Sequence, residues 1–310
     1  MRGLIIKTLK KAPIVSSFIF YIKRSRYDSL FPLFYLLRSW VFLKHFNLLK
    51  TIRINFELFD RKTALRFPIF IFGKCVFQYT KKCKIVLLGR TYSGMVRIGA
   101  NWDAFSCEGR GTLLRFIEGE IRFKEAFITN ADCTIEVTCG AIVEFGRATM
   151  LGYGCRVRAM EKSLIIGDFV RITNESQIYN TNFHYMLDES GPTPRVASRS
   201  RPVKIGNYCW IGNRTSIMPG AVLPDWTIVA SNSLVNKPFE SENGIPIILA
   251  GMPAKKVGEG KRRIYSGCVQ KKLSDWFRLN SNGLFCDDLN LIYDSPEDEA
   301  QAYLNAAPAF

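Results

Sequence analysis

Residues 205–237 read IGNYCWIGNRTSIMPGAVLPDWTIVASNSLVNK. An aliphatic side chain recurs at every sixth position: Ile205, Ile211, Ile217, Leu223, Val229 and Val235. Four positions after each of the first five stands a small residue: Cys209, Thr215, Ala221, Thr227 and Ser233. A period of six is neither that of an amphipathic helix nor that of an alternating strand. It is the period of a parallel β-helix, in which each hexad makes a short strand and a corner. The aliphatic side chain points into a narrow prism, and the small residue faces in where space is tight. Gly206 and Gly212 follow an aliphatic directly and read as turn residues, chosen because glycine tolerates unusual φ and ψ. One coil cannot bury its own apolar face, so several must stack.

Working outward, Phe145, Leu151 and Val157 keep the same spacing, with Gly146 and Gly152 after the first two. Ile166, Ile172 and Ile178 resume it after a slip of three residues, with Gly167 after Ile166. Ile121, Phe127, Cys133 and Cys139 fit the register too, with poorer small-residue matches. The expected fold is mainly β, a parallel β-helix over residues 61–258. Its repeat is clear from about residue 145 and traceable from about residue 90. A β-sandwich is the structural rival. The stretch 1–60 is expected to be a basic, apolar-aromatic helical region, and 259–310 a C-terminal extension.

The largest interruption of the repeat follows Ile178. From Ile178 to Ile205 is 27 residues; a hexad accounts for six, which leaves an insertion of 21. The loop 179–204 reads YNTNFHYMLDESGPTPRVASRSRPVK and must protrude from its coil. Rigid scaffolds commonly carry function on such loops. This one holds His184; the chain's other histidine, His45, reads as structural or interfacial.

Charge is unevenly spread. Residues 1–90 hold 19 Lys/Arg against three Asp/Glu, while residues 91–310 hold 24 of each. A local basic block points to an anionic partner. No nucleic-acid reader motif accompanies it. The apolar run Ala12–Ile22 is about half of what a bilayer span needs. No small-residue cleavage site follows, so a signal peptide is not expected. The run SLFPLFYLLRSWVFLKHF is broken by Pro32 and Arg38. Aromatic-apolar stretches alternating with Lys/Arg suit interfacial helices, so residues 1–50 are expected to touch the inner face of the cytoplasmic membrane. The other reading is a helical pair packing on its own protein. Nine cysteines without a CxxC pair read as free thiols in a reducing cytoplasm, mostly small core residues. Two histidines are too few for a zinc-finger spacing, and no metal is expected.

The FH of the protruding loop, then PVKIGNYCWIGNRTSIMPGAVLP, VASNSLVNK and AGMPAKKV, together resemble the hexapeptide-repeat acyltransferases. The similarity covers roughly residues 120–258. It is strongest toward the maltose and galactoside O-acetyltransferases and the acetyltransferases of surface-polysaccharide synthesis. The resemblance implies a left-handed β-helix, a homotrimer with active sites between subunits, and acetyl-coenzyme A (acetyl-CoA) as donor. It places the loop histidine at His184 and the tryptophan of the WIG motif at Trp210. It puts the donor-binding face on Asn213, Ser231, Asn232, Asn236 and Lys237. The turn that ends the β-helix falls on Ala250, Gly251, Pro253 and Ala254, with Lys255 beside it.

The residues themselves suggest the chemistry. An alcohol is a weak nucleophile, and an imidazole can take its proton near neutral pH. His184 is therefore the expected general base, attack on the thioester following directly. A backbone N–H near a coil edge would steady the oxyanion. Asn180 and Asn182 are candidates to orient the imidazole or bind the saccharide. Cys209 occupies an inward small position, which argues against a covalent cysteine. No GxSxG elbow is present. Each assignment has a plainer rival. Trp210 also suits packing between subunits, and Asn213 and Asn232 suit turns. Lys237 and Lys255 suit either the donor's phosphates or solvent. Arg195, Arg199, Arg201 and Lys204 suit an anionic acceptor or simple solubility.

The expected function is O-acetylation of a sugar or glycan hydroxyl. N-acylation of an amino sugar is the alternative, and a non-catalytic scaffold at the membrane the second. A β-helical hydratase with three histidine ligands is disfavoured, since the chain has only His45 and His184.

Overall fold

A computed structural model describes residues 45–100, 111–265 and 267–287. The apolar runs expected in residues 1–44, Cys107 and the C-terminal extension from residue 288 lie outside the described residues.

The chain winds as a parallel β-helix with three faces. The first face stacks Ile69–Ile71, Val96–Ile98, Phe127–Thr129, Thr149–Leu151, Arg171–Ile172, Trp210–Ile211, Ile228–Val229 and Ile247–Ala250. The second stacks Cys75–Tyr79, Thr112–Ile117, Thr134–Thr138, Arg156–Met160, Gln177–Tyr179, Ser216–Ile217 and Leu234–Val235. The third runs from Lys84–Leu87 through Glu120–Phe123, Ile142–Phe145, Leu164–Ile166 and Val203–Ile205 to Val222–Leu223. The chain visits the faces in turn, so consecutive strands lie on different faces and partners come from successive coils.

Register follows the hexads. Ile205 pairs with Leu223, Ile211 with Val229 and Ile217 with Val235, so three hexads close one coil. All six aliphatics are buried, as are Cys209, Thr215, Ala221, Thr227 and Ser233. The same columns run back to Phe145, Leu151 and Val157. Further upstream the expected register is off by two. Phe123, Thr129 and Ile135 occupy the columns, paired with Phe145, Leu151 and Val157. Ile121, Phe127 and Cys133 are buried but sit two positions earlier, and Cys139 is an exposed turn residue at φ 54°. The reason is coil length: strands such as Thr134–Thr138 are longer than a hexad provides, and partners here stand 22 residues apart.

The glycines are explained by space, not by φ. Neither Gly206 nor Gly212 has positive φ. A Cβ on Gly212 would lie 2.5 Å from the Ser231 nitrogen, and one on Gly206 2.6 Å from the Asp225 nitrogen. The coil above comes too close for any side chain. The left-handed residues stand three positions after the column aliphatics, at Tyr208, Arg214, Trp226 and Asn232.

Both ends of the prism are closed. Helix α1, Leu48–Leu58, covers the open edge of Ile69–Ile71. Its buried Asn55 donates to the Ile69 carbonyl and accepts from the Ile69 N–H, at 2.7 and 3.1 Å. Thr51 accepts from the Ile71 N–H at 3.0 Å. The edge that could otherwise pair with another strand is thus satisfied. Helix α2, Arg61–Ala64, follows. At the other end Lys255–Glu259 pairs antiparallel with Ile247–Ala250.

The C-terminal extension begins by folding back on the third-to-first corner. Phe169, Tyr208 and Trp226 stack there in successive coils, with ring centroids 5.2 and 4.0 Å apart. Buried Tyr265 lies edge-on to the last two and donates to the Tyr208 carbonyl at 2.7 Å. Helix α3, Gly267–Leu279, comes next.

Candidate active site

The inserted segment leaves the second face after Tyr179 and returns at Val203 on the third. It carries a small antiparallel hairpin, Met186–Asp188 with Arg195–Ala197. His184 lies between the coil and this hairpin, exposed, and its imidazole makes no hydrogen bond among the described residues.

The backbone under His184 is held firmly. The His184 N–H donates to the Asn182 carbonyl, and the Asn182 N–H donates to the Arg199 carbonyl, both at 2.8 Å. Thr181 Oγ1 accepts from the Phe183 N–H at 3.0 Å. Phe183 has φ 65°, a conformation that costs a bulky residue on the order of 1 kcal/mol and persists only where the surroundings impose it. Its ring meets Tyr179 edge-on, and the Arg158 guanidinium lies over both rings at 5.6–5.7 Å.

Arg199 ties the returning strand of the loop to Glu161 of the previous coil, through Nε at 3.0 Å and Nη2 at 2.5 Å. The Arg199 hydrogen bond, opposed by burial, holds the Glu161 carboxyl below its usual range. Glu161 was not anticipated from the sequence, and Arg199 was anticipated only as a loop cation. No local signal marks the pair, whose members are 38 residues apart.

The two asparagines part company. Asn182 is exposed beside His184. Asn180 is fully buried and turned into the fold. Its Oδ1 accepts from the Met160 N–H at 2.8 Å and its Nδ2 donates to the Lys162 carbonyl at 2.6 Å. Asn180 braces the base of the loop, and its side chain, with no exposed surface, is out of reach of an acceptor sugar. That corrects the expectation that it assists the histidine directly.

The expected donor residues fall in four places. Asn213, Ser231, Asn232 and Gly251 are exposed on the corner between the first and second faces. Ser231 Oγ there accepts from the Asn213 N–H at 3.1 Å, and the Asn232 N–H donates to the Asn213 carbonyl at 2.9 Å. Asn236 and Lys237 are exposed on the next corner, the same one from which the loop of His184 springs, two coils further along. At about 4.8 Å per coil that is about 10 Å along the axis. Lys237 rests over the Phe239 ring at 5.4 Å. Lys255 is exposed on the closing strand. Trp210 lies on the first face, 38% exposed, with the Arg263 guanidinium 5.3 Å over it. His184 and the Asn213 corner flank the second face without meeting in one chain.

The cysteines are not candidates for chemistry here. Burial pushes the Cys209 thiol up to about 12, as it does Cys155. Among the described residues no group of three or more His, Cys, Asp or Glu is placed to hold a metal.

No protein-family model matches the chain. Among curated proteins it is 24% identical over 191 residues to WbbJ of Escherichia coli (strain K12), a protein named for O-acetyl transfer in lipopolysaccharide biosynthesis; the match covers 59% of this chain and 88% of that one. It is 35% identical over 78 residues to a chloramphenicol acetyltransferase of Morganella morganii, covering 24% of this chain and 35% of that one. Among solved structures, the polysialic-acid-specific acetyltransferase NeuO matches at 18% identity with a TM-score of 0.38, over 69% of this chain and 99% of that one. That superposition is too loose to argue from. The hexad columns and the sequence likenesses point to one class: the chain resembles the hexapeptide-repeat acyltransferases, and the curated proteins it is similar to are named as acetyltransferases. Within that class, the likeness to WbbJ runs along most of both chains.

Proposed function

We propose that the protein is an acetyl-CoA-dependent O-acetyltransferase acting on a sugar or glycan hydroxyl in the synthesis of a surface polysaccharide. The observation that carries this reading is His184: an exposed imidazole, unengaged among the described residues, on a braced loop at the largest break in the repeat. The Escherichia coli relative's name supports the acceptor class.

His184 takes the proton of the acceptor hydroxyl. The oxygen attacks the thioester carbonyl, the C–S bond breaks, and the coenzyme A thiolate leaves with the proton from the imidazolium. Lys237 and Lys255 are exposed cations suited to the donor's phosphates, and Asn213, Ser231, Asn232, Asn236, Gly251 and Trp210 form its contact surface. Because His184 and the Asn213 corner lie on different edges of one chain, a site that unites them takes the loop from one copy and the corner from another. That supports a homotrimer. Asn182, exposed beside His184, is placed to contact the acceptor.

The test is incubation with labelled acetyl-CoA and extracted glycan precursors, followed by mass analysis of the acetylated product. An ester on a sugar hydroxyl, lost in His184→Ala, is the expected result. Label on an amine would support N-acylation instead. Transfer undiminished in His184→Ala would refute the mechanism.

A further inference from the structure

Helix α1 is two-sided. Thr51, Ile54 and Asn55 face the β-helix. Leu48, Leu49, Ile52 and Phe56 face outward, 50%, 81%, 38% and 45% exposed. Leu65, just after α2, extends this apolar surface at 48% exposed. Exposed Arg53, Arg61, Lys62 and Arg66 rim it.

We infer that this end of the β-helix docks on an anionic lipid bilayer through α1, whose outward leucine, isoleucine and phenylalanine enter the interface while the rim cations meet lipid phosphates. Charge argues for this occupant. The acidic residues of the two helices and their junction are Glu57 and Asp60, and both are engaged. Glu57 is bound by Arg53 and the Tyr79 hydroxyl. Asp60 caps α2, accepting from the Lys62 and Thr63 N–H groups. The rim therefore presents positive charge outward. The 44 residues that enter α1 at its Leu48 end carry nine Lys/Arg against a single acid, Asp28, among aromatic and aliphatic residues. A one-sided apolar stripe with basic margins is the pattern of a helix lying in the membrane interface. No described helix is long and apolar enough to cross a membrane.

The geometry has a consequence for the acceptor. The coil that bears His184 is the fourth step from the strand Ile69–Ile71 that α1 covers. Four coil rises amount to about 19 Å. A saccharide of several units, tethered to lipid, would span that height. The docking surface itself does not depend on the acetyl-transfer reading, because its assay contains no substrate.

The experiment is sedimentation of the full chain with phosphatidylcholine vesicles, with and without roughly one-third phosphatidylglycerol. The wild type is expected to bind the anionic vesicles, more weakly as salt rises. The triple variant Leu49→Glu, Ile52→Glu, Phe56→Glu should bind at least ten-fold more weakly, with its melting midpoint unchanged. The triple variant Arg61→Gln, Lys62→Gln, Arg66→Gln, which leaves the apolar stripe intact, should do the same. Binding by both variants equal to wild type would overturn the inference and assign the contact to residues 1–44 alone. So would equal binding to both vesicle types. A wild type that ignores vesicles but self-associates through this face, with the variants dissociating it, would also overturn it in favour of a second copy.

Discussion

Replacing Asn180 with alanine separates bracing from chemistry. The substitution removes an acceptor from the Met160 N–H and a donor from the Lys162 carbonyl, at 2.8 and 2.6 Å, in a residue with no exposed surface. The backbone bonds of residue 180 survive: its N–H to the Arg158 carbonyl and its carbonyl from the Arg201 N–H. A buried backbone group left without its partner costs about 1–3 kcal/mol. The Met160 and Lys162 groups are part-buried and can in part rehydrate, so the two together give about 2–4 kcal/mol. For a domain of this size each kcal/mol moves the midpoint by roughly 2–4 °C, so the melt should fall by roughly 5–15 °C. Circular dichroism melting reads this, and acetyl transfer measured well below the midpoint reads the chemistry. Transfer should fall less than about ten-fold, because the imidazole is untouched and the loop keeps its backbone anchors. An unchanged midpoint with transfer lost a hundred-fold or more would refute the bracing role and put the amide into the reaction.

Other expectations can be checked in parallel. His184→Ala should lower transfer by about 10²–10⁴ with no change in melting, since the side chain is exposed and unbonded; a melting loss of several degrees would show a structural role. Gly212→Ala should destabilise by about 1–3 kcal/mol in denaturant unfolding, because its Cβ meets the Ser231 backbone at 2.5 Å, while Gly191→Ala, with nothing within 4 Å, should be neutral. The Arg199–Glu161 tie should weaken in acid. Its carboxyl is held below the ordinary range, so its stabilisation is complete above the ordinary carboxylate pKa and is lost as pH falls through the lowered value. Amide exchange in residues 185–199 should quicken over that fall, and Glu161→Gln should exchange quickly at every pH. In the folded protein iodoacetamide should label exposed Cys139 well before buried Cys133, Cys155 and Cys209, as peptide mapping can show.

The hexad period alone determined the β-helix from Phe145 onward, because each aliphatic has one place to go when three strands close a prism. It also located the break and the histidine in it. Where the coils lengthen, as at Thr134–Thr138, counting by six put Ile121, Phe127 and Cys133 two positions out. Only stacked strands show which residue faces which. The aromatic ladder had a faint signature, a bulky residue three positions after Ile166, Ile205 and Leu223, but nothing in the sequence says that residues 39 and 18 apart will stack. The glycines after the aliphatics were legible as special, yet for the wrong reason; the approach of the next coil is a distance between residues 18 or more apart in the chain. The same holds at the site. The sequence offered Asn180 and Asn182 as equals, since both flank the histidine. The tertiary structure buries one beneath the turn at Met160–Lys162 and leaves the other in the open, because only the return of the chain one coil later decides which amide has a backbone to bind.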